Sequence, residues 1–235
     1  MLAVAVRPAR YPLVSVEIGI AVTARDEADR LPATLAALAD AFPDALVVVA
    51  DDGSRDGTWH VALQAGADLV RSPGGIGKGG AATLAVERLL ERGVSRAVVL
   101  CDGDLGDSAR ELPRLVAALD ADEGDLAVAA FARRVGGGFG VALGFAGWAI
   151  ARLTGLRPGA PISGQRALRP AVARSVLPFA PGFGMEIGMT VDAHRAGFRL
   201  VEVELEHRAT GRSVAGFVHR ARQLLAFARV YASRR

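Results

Sequence analysis

A single cysteine, Cys101, and a single lysine, Lys78, stand in a chain of 235 residues. One cysteine excludes an intrachain disulfide and points to a reducing, cytoplasmic setting; lying inside an apolar run, Cys101 reads as a small buried hydrophobe. Long hydrophobic runs are also lacking. Residues 135–151 are free of charge for seventeen positions but hold six glycines. That is marginal in length for a bilayer and weak as a helix, so the stretch reads as an interfacial or acceptor-covering segment, or as an active-site loop, rather than a span. Residues 1–12 mix arginine and proline without an apolar signal core, so secretion is not indicated. No internal repeat or low-complexity linker divides the chain. At 51% hydrophobic and 23% charged residues it can bury one sizeable core, and a single domain over 1–235 is expected.

Because arginine serves as the cation everywhere else, Lys78 in Gly77-Lys78-Gly79-Gly80 has two readings. One is a compact ammonium beside phosphates, where a planar guanidinium does not substitute; the other is a residue on a solvated loop. Net charge is only +3, yet from Arg208 onward there are seven arginines and no acidic residue. Such a tail favours a polyanionic neighbour: an anionic membrane, nucleic acid or a phosphorylated substrate.

What the chain does have is two acidic motifs, each closing an apolar run. Leu46-Val47-Val48-Val49-Ala50 leads into Asp51-Asp52-Gly53-Ser54, and Ala97-Val98-Val99-Leu100-Cys101 leads into Asp102-Gly103-Asp104. One such turn alone is ordinary backbone chemistry. Two of them suit a ligand bound at the carboxyl edge of a parallel sheet, with hard oxygens for a divalent ion and its phosphates. The spacing by itself does not name the metal.

Periodicity predicts strands over 18–22, 46–50, 69–71, 97–101, 126–131 and 200–205. Helices are predicted around Leu31, Leu35 and Leu38, over 58–65, over 81–92 after a glycine-rich loop at 72–80, over 112–119, 187–196 and 214–231. The alternation predicts an α/β fold with a doubly wound, mostly parallel sheet flanked by helices and joined by right-handed crossovers. In the last helix Phe217, Ala221, Leu224, Leu225 and Ala228 share a face, with Arg220, Arg222 and Arg229 elsewhere; a membrane-surface helix and a helix packed on its own domain both fit. Gly74-Gly75-Ile76-Gly77-Lys78-Gly79 lacks the spacing and the Ser/Thr after lysine of a P-loop. No Gly-x-Gly-x-x-Gly follows the first strand, so a Walker ATPase and a nicotinamide enzyme are disfavoured.

Taken in order, these segments resemble the family-two GT-A glycosyltransferases, especially the branch of dolichyl-phosphate mannose synthases and glucosyl-phosphoglycerate synthases. Val22-Thr23-Ala24-Arg25-Asp26-Glu27 is similar to the opening Pro-x-x-Asn-Glu, Asp51 to Thr58 to the nucleotide-binding segment, and Asp102-Gly103-Asp104 to the metal-binding Asp-x-Asp. Ser163-Gly164-Gln165-Arg166-Ala167 resembles Ser-Gly-Phe-Arg-Ala. The resemblance implies a GT-A fold and a nucleotide-sugar-dependent hexosyltransferase. It puts Asp51 and Asp52 near base and ribose, Glu27 and Lys78 in the nucleotide pocket, and Asp102 with Asp104 on Mg²⁺ or Mn²⁺ at the diphosphate of a UDP- or GDP-sugar. No covalent nucleophile is needed.

Three departures matter: Thr23 for proline, Asp26 for asparagine, and Gly106 where the branch often carries glutamine. The last removes a possible oxygen ligand; His207, at the end of the strand over 200–205, is a candidate third metal contact, its other reading being an ordinary surface histidine. Glu186, in a segment where the family faces an acidic residue toward the acceptor, is a candidate base for a hydroxyl or an orienting group for a phosphate. Its other reading is a carboxylate at a helix N-terminus. Arg166, Arg208 and Arg212 are candidates to hold the phosphate of the acceptor, a polyprenyl phosphate or a small phosphorylated molecule. Peripheral contact with the inner face of the membrane is expected through 135–151 and the arginine tail, and no nucleic acid is expected as partner. Two alternatives stand beside this reading. A sugar-phosphate nucleotidyltransferase would want a glycine-rich loop directly after the first strand, where 21–27 has no glycine; the other is a non-catalytic nucleotide-binding or membrane-associated module.

Overall fold

The structure, a computed structural model, describes residues 16–131, 140–206 and 216–235. Its apolar runs become β1 (Ile18–Ala24), β2 (Leu46–Asp51), β3 (Asp68–Arg71), β4 (Ala97–Asp102) and β5 (Leu126–Phe131), followed by β6 (Arg166–Leu168) and β7 (Leu200–Leu205). The sheet order is β3-β2-β1-β4-β6-β5-β7. All pairings are parallel except those of β6, which runs antiparallel between β4 and β5. Strands of a parallel sheet are covered on both faces, so they read as continuous hydrophobic runs rather than alternating ones.

Helices α1 (Leu31–Ala41) and α4 (Pro113–Asp120) cover one face, where Leu31, Leu38, Leu115 and Leu119 meet Ile20, Val22 and Val99. Helices α3 (Gly77–Glu91), α6 (Pro170–Val176) and α7 (Met185–Arg195) cover the other, with Val86, Leu89, Val172 and Met189 against Ala21, Val48 and Val98. A third cluster, Ala146, Ile150, Ile187, Val191, Phe227 and Val230, joins α7 to α5 (Gly140–Thr154) and α8 (Gly216–Arg234). The short α2 (Thr58–Gln64) links β2 to β3.

Four elements differ from expectation. Helix α3 begins at Gly77, four residues before the predicted start, so Lys78 stands on its first turn instead of on a loop. The Asp52 carboxylate accepts the Ile76 and Gly77 amides at 3.1 and 3.0 Å, satisfying donors that a helix start leaves open. Glycine is tolerated there because α3 lies hard against the 180–182 segment; a Cβ on Gly79 would collide with the Ala180 carbonyl. Strand β6 and helix α6, three and seven residues long, are outside the predicted elements, being too short to carry a periodic signal. The 135–151 stretch, expected as an interfacial or acceptor-covering segment or an active-site loop, is helical from residue 140, where α5 begins with Ala142, Ala146, Ala149 and Ile150 buried. Among the described residues no helix is long and apolar enough to cross a membrane.

Candidate active site

Register places the two acidic motifs side by side. β1 lies between β2 and β4, with Ala24 opposite Asp51 and Thr23 opposite Asp102, so both motifs emerge at one carboxyl edge, one on each side of the end of β1. Neighbouring segments hold the turns. Thr34 of α1, wholly buried, donates to the Gly103 carbonyl and accepts the Gly106 amide, both at 2.8 Å. Gly106 has φ of +59°, so the position where glutamine was looked for is a left-handed turn that favours glycine. Asp26, at φ of +54°, accepts the Arg55 amide at 2.8 Å, and its own amide donates to Ser54 Oγ at 2.9 Å. Asparagine and aspartate are the side chains that tolerate this conformation, which accounts for aspartate replacing asparagine here.

The four carboxylates of the motifs have different environments. Asp51 is buried and bonded to the Ser54 amide at 2.9 Å, with Arg71 Nε 3.0 Å from its second oxygen. Asp52 is also buried; besides the α3 amides it accepts Ser72 Oγ at 2.8 Å and meets Arg25 at 3.3 Å, so it ties the glycine-rich segment to β2. Asp102 accepts Gln165 Nε2 at 2.8 Å on one oxygen and Lys78 Nζ at 2.8 Å on the other. Asp104 is the open one, its side chain 38% exposed and Arg30 Nη1 3.4 Å away.

Besides Arg71 and Arg25, two further cations, Lys78 and Arg30, stand among these acids. Lys78 Nζ also lies 2.9 Å from Glu186 Oε1, which joins β4 to the first turn of α7 across the edge. Burial alone would push the Lys78 ammonium down, but Asp102 and Glu186 outweigh it and hold Lys78 above its ordinary value. Arg30 Nη2 approaches Glu27 Oε2 to 2.6 Å. The Glu27 carboxyl is nevertheless pushed up to about 7, first by burial and then by Asp104 and Asp102, with Arg30 opposing. Glu27 thus stands half-buried beside two further carboxylates with Arg30 as its cation, a setting that suits a divalent ion. Among the described residues, no three His, Cys, Asp or Glu side chains converge to hold one unaided.

Arg166 is not where an acceptor-holding residue was expected. Its side chain is wholly buried, donating to the Ser163 carbonyl at 2.9 Å and to Thr190 Oγ1 on α7 at 3.0 Å. Among the described residues, Nη2 of Arg166 and Oγ of Ser163 have no hydrogen-bond partner. Burial pushes the guanidinium down to about 10 against the pull of Glu186 and Glu202. Glu186 is 4% exposed, so its carboxylate serves Lys78 before it serves solvent. His207, Arg208 and Arg212 lie outside the described residues. Cys101 is buried in the core below the site, its thiol pushed well up by burial and by Asp102 and Asp104. Thr34 and the contact of Gln165 with Asp102 escaped sequence reading because each joins elements distant in sequence, and Arg30, three residues after Glu27, reaches Asp104 only across the fold. An apolar groove lined by Val16, Phe42, Leu46 and Ala67 lies at the amino edge of the sheet, away from these carboxylates.

Residues 19–157 match the family described as Glycosyl transferase family 2. The chain belongs to that family. It is therefore a glycosyltransferase, and its sheet, with acidic motifs on each side of β1, is the GT-A arrangement. Among curated relatives, this family 2 chain is 33% identical over 196 residues to undecaprenyl-phosphate mannosyltransferase of Micrococcus luteus, covering 77% of this chain and 79% of that protein. It is 33% identical over 239 residues to glucosyl-3-phosphoglycerate synthase of Mycolicibacterium paratuberculosis, covering 89% and 70%. Glucosyl-3-phosphoglycerate synthase of Mycobacterium tuberculosis, solved with Mn²⁺, uridine diphosphate and phosphoglyceric acid, superposes with a TM-score of 0.73 at 25% identity, over 98% of this chain and 84% of that one. The same enzyme with Mn²⁺ and UDP-glucose gives 0.70 at 25% identity, over 97% and 85%.

Proposed function

We propose that the chain transfers a hexose from a UDP-sugar, bound with Mn²⁺ or Mg²⁺, to the phosphate of a phosphorylated acceptor. The observation that carries this reading is the placing of Asp51 and of Asp102 to Asp104 on either side of the end of β1. The similar mycobacterial enzyme holds Mn²⁺, uridine diphosphate and a phosphorylated acid together, which supports UDP over GDP. Asp104, with Asp102 and His207, would hold the metal, and Asp51 would face the base. When bound, the metal would neutralise charge on the departing diphosphate. Lys78, whose ammonium has three donors and two carboxylate partners, keeps one N–H for a phosphate oxygen.

Where the attacking atom is a phosphate oxygen, transfer needs no proton acceptor. An acceptor phosphate oxygen forms the new bond to sugar C1 while the bond from C1 to the diphosphate oxygen breaks, and the nucleoside diphosphate leaves with the electron pair. Glu186, engaged by Lys78, acts in this reading as an orienting group, not a base. The two curated relatives have names that differ in acceptor, a lipid phosphate and a phosphoglycerate, and share only the phosphate. The test is calorimetric titration of UDP and of GDP with and without Mn²⁺, followed by transfer to undecaprenyl phosphate and to 3-phosphoglycerate, the latter product being read for a sugar on the phosphate or on the 2-hydroxyl. No UDP binding with Mn²⁺ would sink the donor, and transfer to neither phosphate would sink the acceptor.

We further propose that residues 1–235 act as one catalytic domain closed by α8, which packs on α7 through Phe227 and Val230. Peripheral contact with an anionic membrane is supported by Trp148. It is 51% exposed on α5, beside Phe145 and within 5.0 Å of the Tyr231 ring on α8, where no acidic residue follows Glu206. Flotation with phosphatidylglycerol vesicles at low and high salt tests it; failure to float at low salt overturns it.

A further inference from the structure

The strand that breaks the parallel order of the sheet delivers a side chain that parallel strands could not. β6 is antiparallel to β4 and β5, so its amino end, preceded by Ser163-Gly164-Gln165, lies at the edge where β4 ends in Asp102. The Gln165 carbonyl accepts the Ala129 amide at 3.0 Å, which anchors the residue to β5. Its side chain, 6% exposed, turns to Asp102 and donates Nε2–H to Oδ2 at 2.8 Å. Gly164 beside it leaves the space into which Lys78 Nζ fits; a Cβ on Gly164 would overlap that nitrogen and stand 3.0 Å from Asp102 Oδ2. An aspartate with one oxygen tied by an amide has little freedom to rotate, so its other oxygen faces the lysine in one direction.

We propose that Gln165 is a positioning residue: by fixing the Asp102 carboxylate it sets the place of the Lys78 ammonium between Asp102 and Glu186. This departs from the Phe of the Ser-Gly-Phe-Arg-Ala pattern, because phenylalanine has no N–H to give. The consequence for donor binding rests on the proposed UDP site, but the positioning itself does not.

Lys78 is the only lysine, so protein made with ¹³C,¹⁵N-lysine shows one side-chain ε-CH₂ resonance and one ammonium resonance. In Gln165→Leu, which keeps a similar volume and removes the donor, the Lys78 signals should move toward those of a solvated lysine. UDP affinity measured with Mg²⁺ should fall on the order of tenfold, the lower end for a hydrogen bond to a charged group. In an Asp102→Ala background the same Gln165→Leu change should move neither the signals nor the affinity further, because the glutamine acts only through that carboxylate. Gln165→Met, unbranched like glutamine, is the second variant if leucine disturbs the packing. An unmoved Lys78 signal overturns the proposal; unchanged UDP affinity in a variant whose signal has moved overturns its consequence for donor binding. If the unaltered protein does not bind UDP, the donor reading fails and the Lys78 signal alone decides the positioning.

Discussion

Gly164 and Lys78 share one space: the hydrogen on the Gly164 Cα is all that the Lys78 ammonium leaves room for on its way to Asp102. Gly164→Ala therefore presses on the far end of a flexible side chain, which can move aside. The expected outcome is a near-normal melting temperature with UDP binding lost. Gly79→Ala differs in what it meets, the Ala180 carbonyl of the backbone, which cannot rotate away. That variant should lose about 1–3 kcal/mol of stability, read from urea unfolding.

Lys78→Arg keeps the charge and should still weaken UDP–Mn²⁺ binding. The ammonium bridges Asp102 and Glu186 at 2.8 and 2.9 Å from a gap bounded by glycine, and a planar guanidinium is both longer and broader. Equal calorimetric affinity for the two proteins would count against a fitted site.

Asp104→Ala should abolish the dependence of UDP affinity on Mn²⁺ and leave the fold intact. Its carboxylate is the open one of the motif, meeting Arg30 at 3.4 Å, so the fold loses little while the metal loses an oxygen. A variant with unaltered metal dependence would remove Asp104 from the metal site.

Glu27 provides the pH test. Its folded-state value, about 7, lies above the ordinary carboxyl value of 4.5, so the fold favours the protonated form. That favourable contribution is complete below the ordinary value and disappears as pH rises through 7. Glu27→Gln, neutral at every pH, should stabilise the metal-free protein at pH 8 by on the order of 1 kcal/mol after screening, with the gain gone near pH 4. Thermal unfolding at several pH values without metal measures it, and a gain that does not depend on pH would argue against the crowded carboxylates.

Arg234 is one of the seven tail arginines, yet it is turned inward. Its Nε and Nη2 reach the two oxygens of Asp192 at 2.7 and 2.5 Å, and its carbonyl accepts Arg195. Arg234→Ala should loosen α8 from α7 at a cost of about 1–2 kcal/mol, seen as faster amide exchange over 216–234. Unchanged exchange would mean that Phe227 and Val230 hold the helix without it.

The order and period of the apolar runs determined most strands, the sheet class and the acidic edge, because burial on two faces leaves no other pattern for β1, β2 and β4. Local chemistry also placed Gly53 in a turn, since positive φ narrows the choice of side chain. Tertiary structure decided what each charged group does. Asp51 and Asp102 are far apart in sequence and adjacent only through β1; Gln165 reaches Asp102 only because β6 runs backward; Arg166 is buried only because α7 covers it. Lys78 was visible as the sole lysine, but its two carboxylates come from β4 and α7, and no pattern along the chain could show that they meet. Periodicity reports which face a residue turns to the core. Partners across that face follow from how strands and helices stack, and at this edge those partners set the charge, the room and the direction of every functional side chain.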